Sequence, residues 1–361
     1  MAPTALSWLG IVPATLSWLV ISFPMSIFWR KKPIADPHMD MRGKTVIVTG
    51  ANCGIGFRSA AWLSKMGATV ILACRSTERG LAAEKAIKEE LETPLASFPY
   101  RDTGRVVFHK LDLGDFESIR SFASTICQGY MNIDVLINNA GLNDGKMTKQ
   151  GLDEVFGVNF LGHFLLTILL LEKLKNNFRG ARIINVSSVV HRFSPSKPDF
   201  EASANGMDKM HNYQNSKLAM VLFTKELRRR LKGTQVSAYA VSPGAVRSEI
   251  WRSWRGLPRA ALNAAMAALF LDTDQGAAPS IHCAAAPPAA LGTHLYHCPY
   301  LTAPACPLPF EMLGPYAGAL PSRPSLPDNE PEISADLWKL SCRITGVDIE
   351  GEKAYGKESL S

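Results

Sequence analysis

The stretch Lys44-Thr45-Val46-Ile47-Val48-Thr49 runs straight into Gly50-Ala51-Asn52-Cys53-Gly54-Ile55-Gly56, and its reading decides the fold. The β-branched run reads as a buried strand, because stiff branched side chains pack well on a pleated surface. The glycines read as the turn from that strand into a helix that runs to about Met66. Such a turn lets the backbone approach a pyrophosphate at a helix N-terminus, where free N–H groups and the helix dipole favour anions. The spacing is GxxxGxG rather than GxGxxG, so the turn gains its weight from what flanks it.

A regular rhythm flanks it. Ala68 to Cys74 reads as a second buried strand, Leu81 to Leu91 as an amphipathic helix, and Arg105 to Lys110 as a third strand ending at Leu111-Asp112-Leu113. Phe116 to Cys127 is a third helix, and Ile133 to Ile137 a fourth strand ending in Asn138-Asn139-Ala140-Gly141. The run Phe164 to Leu171 is too short to span a bilayer and reads as a buried helix, and Arg182 to Val186 is a further strand ending in Ser187-Ser188. Strands alternating with helices in this way predict an α/β fold: one doubly wound parallel sheet with right-handed crossovers, a Rossmann fold in a single domain. Ligands in such sheets sit at the carboxyl ends of the strands, where the glycine turn, Asp112, Asn138 and Ser188 all fall.

The chemistry enters at Tyr213-Gln214-Asn215-Ser216-Lys217. Tyr213 and Lys217 are four apart at the start of a strongly periodic helix, so they share a face. A phenol has a reference pKa near ~10, and a fixed ammonium within ~4–6 Å can lower it by about 1–3 units. A serine hydroxyl from the neighbouring strand end is then placed to hold a carbonyl oxygen that the phenol protonates. That is a proton-transfer site in need of a hydride donor. A lone YxxxK is usually a surface tyrosine beside a solvated lysine, so the surrounding pattern has to decide.

That pattern resembles the short-chain dehydrogenase/reductase family. Thr49 to Gly56, Asn138-Asn139-Ala140-Gly141, Asn159, Ser188, Tyr213 with Lys217, and Pro243-Gly244 follow the family's order over about residues 42–285. The finer resemblance is to its retinol-dehydrogenase-like branch, through Asn159-Phe160-Leu161-Gly162-His163-Phe164-Leu165-Leu166-Thr167, Asn185-Val186-Ser187-Ser188, Ser216-Lys217-Leu218-Ala219 and Leu337 to Cys342. The resemblance implies that Tyr213 is the acid/base, and that Lys217 lowers its pKa and binds the nicotinamide ribose. It implies that Ser188 orients the substrate oxygen and that Asn159 supports a water-linked proton relay, with Ser187 structural. It assigns Gly50, Asn52, Cys53, Gly54, Ile55, Gly56, Asp112, Leu113, Asn138, Ala140, Gly141, Pro243, Gly244 and Val246 to the dinucleotide site. The substrate class implied is a lipophilic alcohol/carbonyl pair. Retinoids, other lipid aldehydes, polyprenals and ketosteroids stay open, as does a catalytically silent dinucleotide-binding regulator. A homodimer through the helix after Asn159 is a further expectation, and His163 in that helix reads as a packed core or interface histidine.

An NAD-selective enzyme places an acid at the end of the second strand, but this strand ends Leu72-Ala73-Cys74-Arg75 with no Asp or Glu between Gly56 and Glu78. A guanidinium pairs with a 2′-phosphate, so Arg75 predicts NADP(H); capping the next helix, or facing solvent, is its other reading.

The chain of 361 residues carries a net charge of +7 without a basic run interleaved with aromatics, which argues against a nucleic-acid partner. Its seven cysteines form no CxxC pair, and no zinc site or disulfide framework is expected. Met1 to Trp29 is uncharged, Leu6 to Trp29 is long and apolar enough to cross a bilayer, and Arg30-Lys31-Lys32 follows at once. Residues 1–32 therefore read as a membrane anchor with the rest of the chain cytosolic, on the endoplasmic reticulum by resemblance, although Pro13 and Pro24 leave a hairpin or monotopic insertion open. Trp251, Trp254 and Ala260 to Leu271 read as a substrate-covering region or a membrane-resting surface. The proline-rich residues 286–331 read as an extended insertion without lasting strands or helices, containing His294, His297, Cys298 and Cys306 in no metal-binding spacing. Residues 332–361 form a C-terminal helix and tail.

Overall fold

A computed structural model of the chain describes residues 39–92, 104–208, 210–247, 270–300 and 316–347. The sheet is built from β1 (Thr45–Thr49), β2 (Thr69–Cys74), β3 (Arg105–Lys110), β4 (Val135–Asn138), β5 (Ala181–Val186), β6 (Val236–Val241), β7 (Tyr296–Tyr300) and β8 (Tyr316–Ser322), in the order β3-β2-β1-β4-β5-β6-β7-β8. Every pairing is parallel except β7 with β8. The longer helices are α1 (Gly54–Lys65), α2 (Thr77–Glu92), α3 (Phe116–Gly129), α4 (Gly162–Lys175), α5 (Asn212–Arg230), α6 (Thr273–Ala285) and α7 (Glu330–Thr345).

Alternation along each strand divides the core into two apolar layers, because successive side chains leave a strand on opposite faces. Ile47, Ile71, Leu136 and Ile183 point to the layer shared with Ile119, Phe122, Phe164, Leu222 and Trp338 from α3, α4, α5 and α7. Val46, Val48, Leu72, Ile137 and Ile184 point the other way, toward Leu63, Ile87 and Ile281 from α1, α2 and α6. Near-continuous apolar strands are what a sheet covered on both faces requires.

The helical segment Glu154–Lys175 has a mean hydropathy of 1.8 and the length to cross a bilayer, but 83% of its apolar window is buried inside the domain. It is the central core helix. Its entry is a π-turn, Gly157–Leu161, which carries Asn159.

The stretch expected to be an insertion without strands supplies β7 and β8. Pro299 sits where the β7–β8 register shifts, and Pro321 lies on the edge strand, so neither removes a needed ladder bond. The C-terminal helix docks on α5: Glu330 pairs with Lys225 and Arg229, each at 2.7 Å, and Arg230 stacks 4.2 Å from the centre of the Trp338 ring. The stretch expected to be an N-terminal anchor, Trp251, Trp254, residues 260–269 and Cys306 lie outside the described residues.

Candidate active site

The site forms where strand order reverses between β1 and β4, the place at which two chain turns diverge and leave a crevice. The turns are locked side by side. Thr49 Oγ1 accepts from the Asn139 and Ala140 N–H groups at 2.8 and 3.0 Å, and Asn139 Nδ2 donates back to the Thr49 carbonyl at 2.8 Å. Gly50 has φ 64°, and a Cβ there would lie 2.9 Å from Ala140 Cα. A Cβ on Gly56 would overlap the Asn139 side chain and come within 2.5 Å of the Gly50 carbonyl. The first turn of α1 holds no acidic residue, and its N-cap, Cys53, makes no side-chain capping bond. Backbone N–H groups are thereby left for an anion.

From this turn a cleft of about 430 Å³ extends along the strand ends. Its walls include Gly50, Asn52, Cys53, Gly54, Ile55 and Gly56 on one side, and Asp112, Leu113, Ala140 and Gly141 on another. Ser188, Tyr213 and Lys217 close it with Pro243, Gly244 and Val246. Arg75 stands at the end of β2, with Nη1 3.1 Å from Glu154 Oε1 and a side chain 63% exposed. Asp112 turns its carboxylate onto its own loop, where Oδ1 accepts from Gly114 N at 2.9 Å.

The sequence reading missed Arg79, which also lines the cleft. Asn52, with its amide oxygen facing the guanidinium, accepts from Arg79 Nε and Nη2, both at 3.2 Å. A signal existed: Arg79 falls in the first turn of the helix that follows β2, at the strand's carboxyl end where such sheets bind ligands.

The structure does not bring two of the expected residues to the cleft wall. Asn138 is buried in the sheet, donating to Asn185 Oδ1 at 2.8 Å and to Thr167 Oγ1 at 3.0 Å. Asn159 pairs with the backbone of Leu142, accepting from its N–H and donating to its carbonyl, both at 2.8 Å. Its remaining amide hydrogen reaches Ser216 Oγ at 3.1 Å.

At the head of the cleft, Ser187 Oγ donates to the Lys217 carbonyl at 2.7 Å and is buried, whereas Ser188 opens to the cleft that Tyr213 also lines. Lys217 Nζ donates to the Val186 carbonyl at 3.1 Å and lies 5.8 Å from the centre of the Tyr213 ring. The expected lowering of the phenol by Lys217 is absent in the free chain. Burial pushes Tyr213 up to about 12, opposed by Ser188, and pushes Lys217 down to about 8. Desolvation outweighs the attraction because the sequence spacing fixes a shared face but not the distance or dielectric.

Among the described residues no group of three or more His, Cys, Asp or Glu is placed to hold a metal ion. The glycine cradle, filled by any added Cβ, and the strip of N–H and guanidinium donors fit an elongated dianionic dinucleotide.

Comparison with known proteins agrees with this geometry. Residues 44–256 match the short chain dehydrogenase family. Retinol dehydrogenase 12 of Mus musculus is 38% identical over 287 residues, covering 77% of this chain and 84% of that protein. Retinol dehydrogenase 11 of Homo sapiens is 40% identical over 266 residues, covering 70% and 76%. Among solved structures, an uncharacterised protein from Mycobacterium paratuberculosis is 29% identical with a TM-score of 0.60, covering 86% of this chain and 97% of that one. The NADP complex of Pseudomonas aeruginosa RhlG, at 22% identity and a TM-score of 0.55 over 73% of this chain and 96% of that one, shares the fold.

Proposed function

The chain belongs to the short-chain dehydrogenase family, and on that premise we propose that it interconverts an alcohol and a carbonyl on a lipophilic substrate with NADP(H). One observation carries the reading: Ser188, Tyr213 and Lys217 meet in the same cleft as the glycine turn. The family uses NAD(H) or NADP(H), and the bound dinucleotide supplies or accepts the hydride at the carbonyl carbon. Everything else falls to the protein. Ser188 holds the substrate oxygen, Tyr213 transfers the phenolic proton to that oxygen in reduction, and Lys217 presents its ammonium to the same region. Asn159, which the family pattern makes the support of a water-linked proton relay, is held behind the wall by the Leu142 backbone and Ser216.

Arg75 and Arg79 favour the phosphorylated cofactor. Arg75 has to exchange Glu154 for phosphate, but an exposed ion pair is worth ~0–1 kcal/mol and a charged hydrogen bond to phosphate about 1.5–3, so the exchange is favourable. The relatives' name, retinol dehydrogenase, makes a retinoid or similar lipid aldehyde the first substrate to try. Met1 to Trp29, followed by Arg30-Lys31-Lys32, is proposed to hold the domain on the cytosolic face of the endoplasmic reticulum.

The test is a panel of retinal, a long-chain enal, a polyprenal and a ketosteroid with the detergent-solubilised full chain, read as NADPH consumption. Tyr213→Phe is expected to lower kcat by at least ~10²–10⁴-fold while leaving dinucleotide affinity intact. Wild-type kcat in Tyr213→Phe, or NADPH binding without turnover of any carbonyl, refutes the enzymatic reading. Retention in the pellet after alkaline carbonate, with the domain digested by protease outside sealed microsomes, tests the anchor; a protected domain would refute the orientation.

A further inference from the structure

Behind the cleft wall lies a chain of hydrogen bonds through a residue that the chemistry above does not use. His163 is fully buried in the first turn of α4. Its Nδ1 is 3.0 Å from the Asn159 carbonyl, which can only accept, so Nδ1 carries the proton. Nε2 is then an acceptor, and the Thr49 hydroxyl 2.8 Å away donates to it. The Ile137 carbonyl, 3.4 Å from that hydroxyl, is the poorer alternative. With its proton committed to His163, the Thr49 oxygen keeps both lone pairs for the N–H groups of Asn139 and Ala140. Burial pushes the imidazole down to about 3, which keeps it neutral and keeps Nε2 an acceptor.

The two ring nitrogens lead to different halves of the site. Through Thr49, Nε2 reaches the paired turns that wall the dinucleotide cleft. Through Asn159, Nδ1 reaches the catalytic helix: the Asn159 amide donates to Ser216 Oγ, and Ser216 Oγ donates to the Tyr213 carbonyl at 2.8 Å. An apolar side chain here would leave the Thr49 hydroxyl only the longer bond to the Ile137 carbonyl and would remove the side-chain bond to the Asn159 carbonyl, both in a dry interior.

We propose that His163 is a positioning residue that fixes the dinucleotide wall relative to the acid/base helix, Nε2 serving the wall and Nδ1 the helix. The proposal rests on the reading of the cleft given under Proposed function, and its test separates the two. In the full detergent-solubilised chain, NADPH affinity is measured by fluorescence titration and kcat with retinal at saturating NADPH. His163→Gln places an amide oxygen near the Nε2 position and keeps the Thr49 bond. It should leave the NADPH Kd within about threefold of wild type and lower kcat about tenfold, the loss of one hydrogen bond at about 1.4 kcal/mol per decade. His163→Asn places an amide N–H near the Nδ1 position, and should raise the NADPH Kd about tenfold while kcat falls less than about threefold. His163→Leu should lose on both counts. Equal losses in Gln and Asn, no change in either, or failure of all three variants to yield folded protein would mark a merely structural histidine and overturn the proposal. If wild type binds NADPH but reduces no carbonyl, the functional reading fails. The Kd difference between Gln and Asn then still decides the role of His163.

Discussion

Exchanging the ion pair at the end of β2 offers the sharpest test of cofactor choice. Arg75 is held by Glu154 at 3.1 Å, with side chains 63% and 20% exposed. Such a pair contributes roughly 0.5 kcal/mol, whereas a guanidinium–phosphate contact contributes about 2, leaving about 1.5 kcal/mol in favour of NADPH. Arg75→Ala should therefore weaken NADPH about tenfold and leave NADH little changed. The competing acid gives a second, opposite prediction. Glu154→Gln preserves an oxygen for the Lys146 N–H, which Glu154 Oε2 now accepts at 3.0 Å, but removes the charge that competes for Arg75. NADPH should bind about two- to fivefold tighter to this variant, with no gain for NADH. Both are read by titrating the full chain with each cofactor at fixed, moderate ionic strength, since exposed pairs are screened by salt. Equal weakening of both cofactors in Arg75→Ala, or weaker NADPH binding in Glu154→Gln, would refute the reasoning.

Gly56→Ala should abolish dinucleotide binding and lower stability, because the new methyl meets the Asn139 side chain and the Gly50 backbone; retained affinity in a titration would show that the turn yields. The buried histidines set an acid limit on stability. His163 is pushed down to about 3, and His191 and His297 to about 4, all by burial, while the unfolded chain protonates each near ~6.5. Below about pH 6.5 the unfolded state gains protons that the folded state excludes, so stability present above that pH falls by up to ~1.4 kcal/mol per unit per histidine down to about pH 4. The urea midpoint at about pH 5 should lie below that at about pH 7, and His297→Phe should shallow the slope; a flat profile would contradict the burial.

Much of this was legible from sequence because two signals agreed. Apolar, β-branched runs alternating with helical segments placed β1 to β5 within a residue or two, and their carboxyl ends carried polar or glycine residues along one rim. Ser188, Tyr213 and Lys217 were legible because strand ends and helix faces have fixed geometry. The remainder depended on tertiary context. Prolines disguised β7 and β8, since only the finished sheet reveals that Pro299 falls at a register shift and Pro321 on an edge. Asn138 and Asn159 resembled cleft residues, but their amides are committed to backbone and side chains behind it. Arg79 looked like any solvated helix charge until β2 and α2 set it beside Asn52.

The electrostatic state of the proposed catalytic pair, Tyr213 and Lys217, leads to a prediction about rate. With the phenol pushed up to about 12, Tyr213 keeps its proton through the whole neutral range, so supply of that proton does not limit carbonyl reduction there. Lys217 is the group that titrates first, because burial pushes its ammonium down to about 8 with no acid beside it to offset the desolvation. Loss of that charge removes whatever electrostatic help the developing phenolate receives, and in a site this enclosed such help is large. On the proposed reading, kcat/KM for reduction should be level below about pH 8 and fall tenfold per unit above it, since kcat/KM reports the ionisation of the free protein. Lys217→Arg, whose guanidinium stays charged, separates charge from position: it should flatten the alkaline limb even as it lowers the plateau. A limb that stays near pH 8 in Lys217→Arg, or that appears only near about pH 10–12 in wild type, would assign the titration to another group and remove Lys217 from its role in the charge balance.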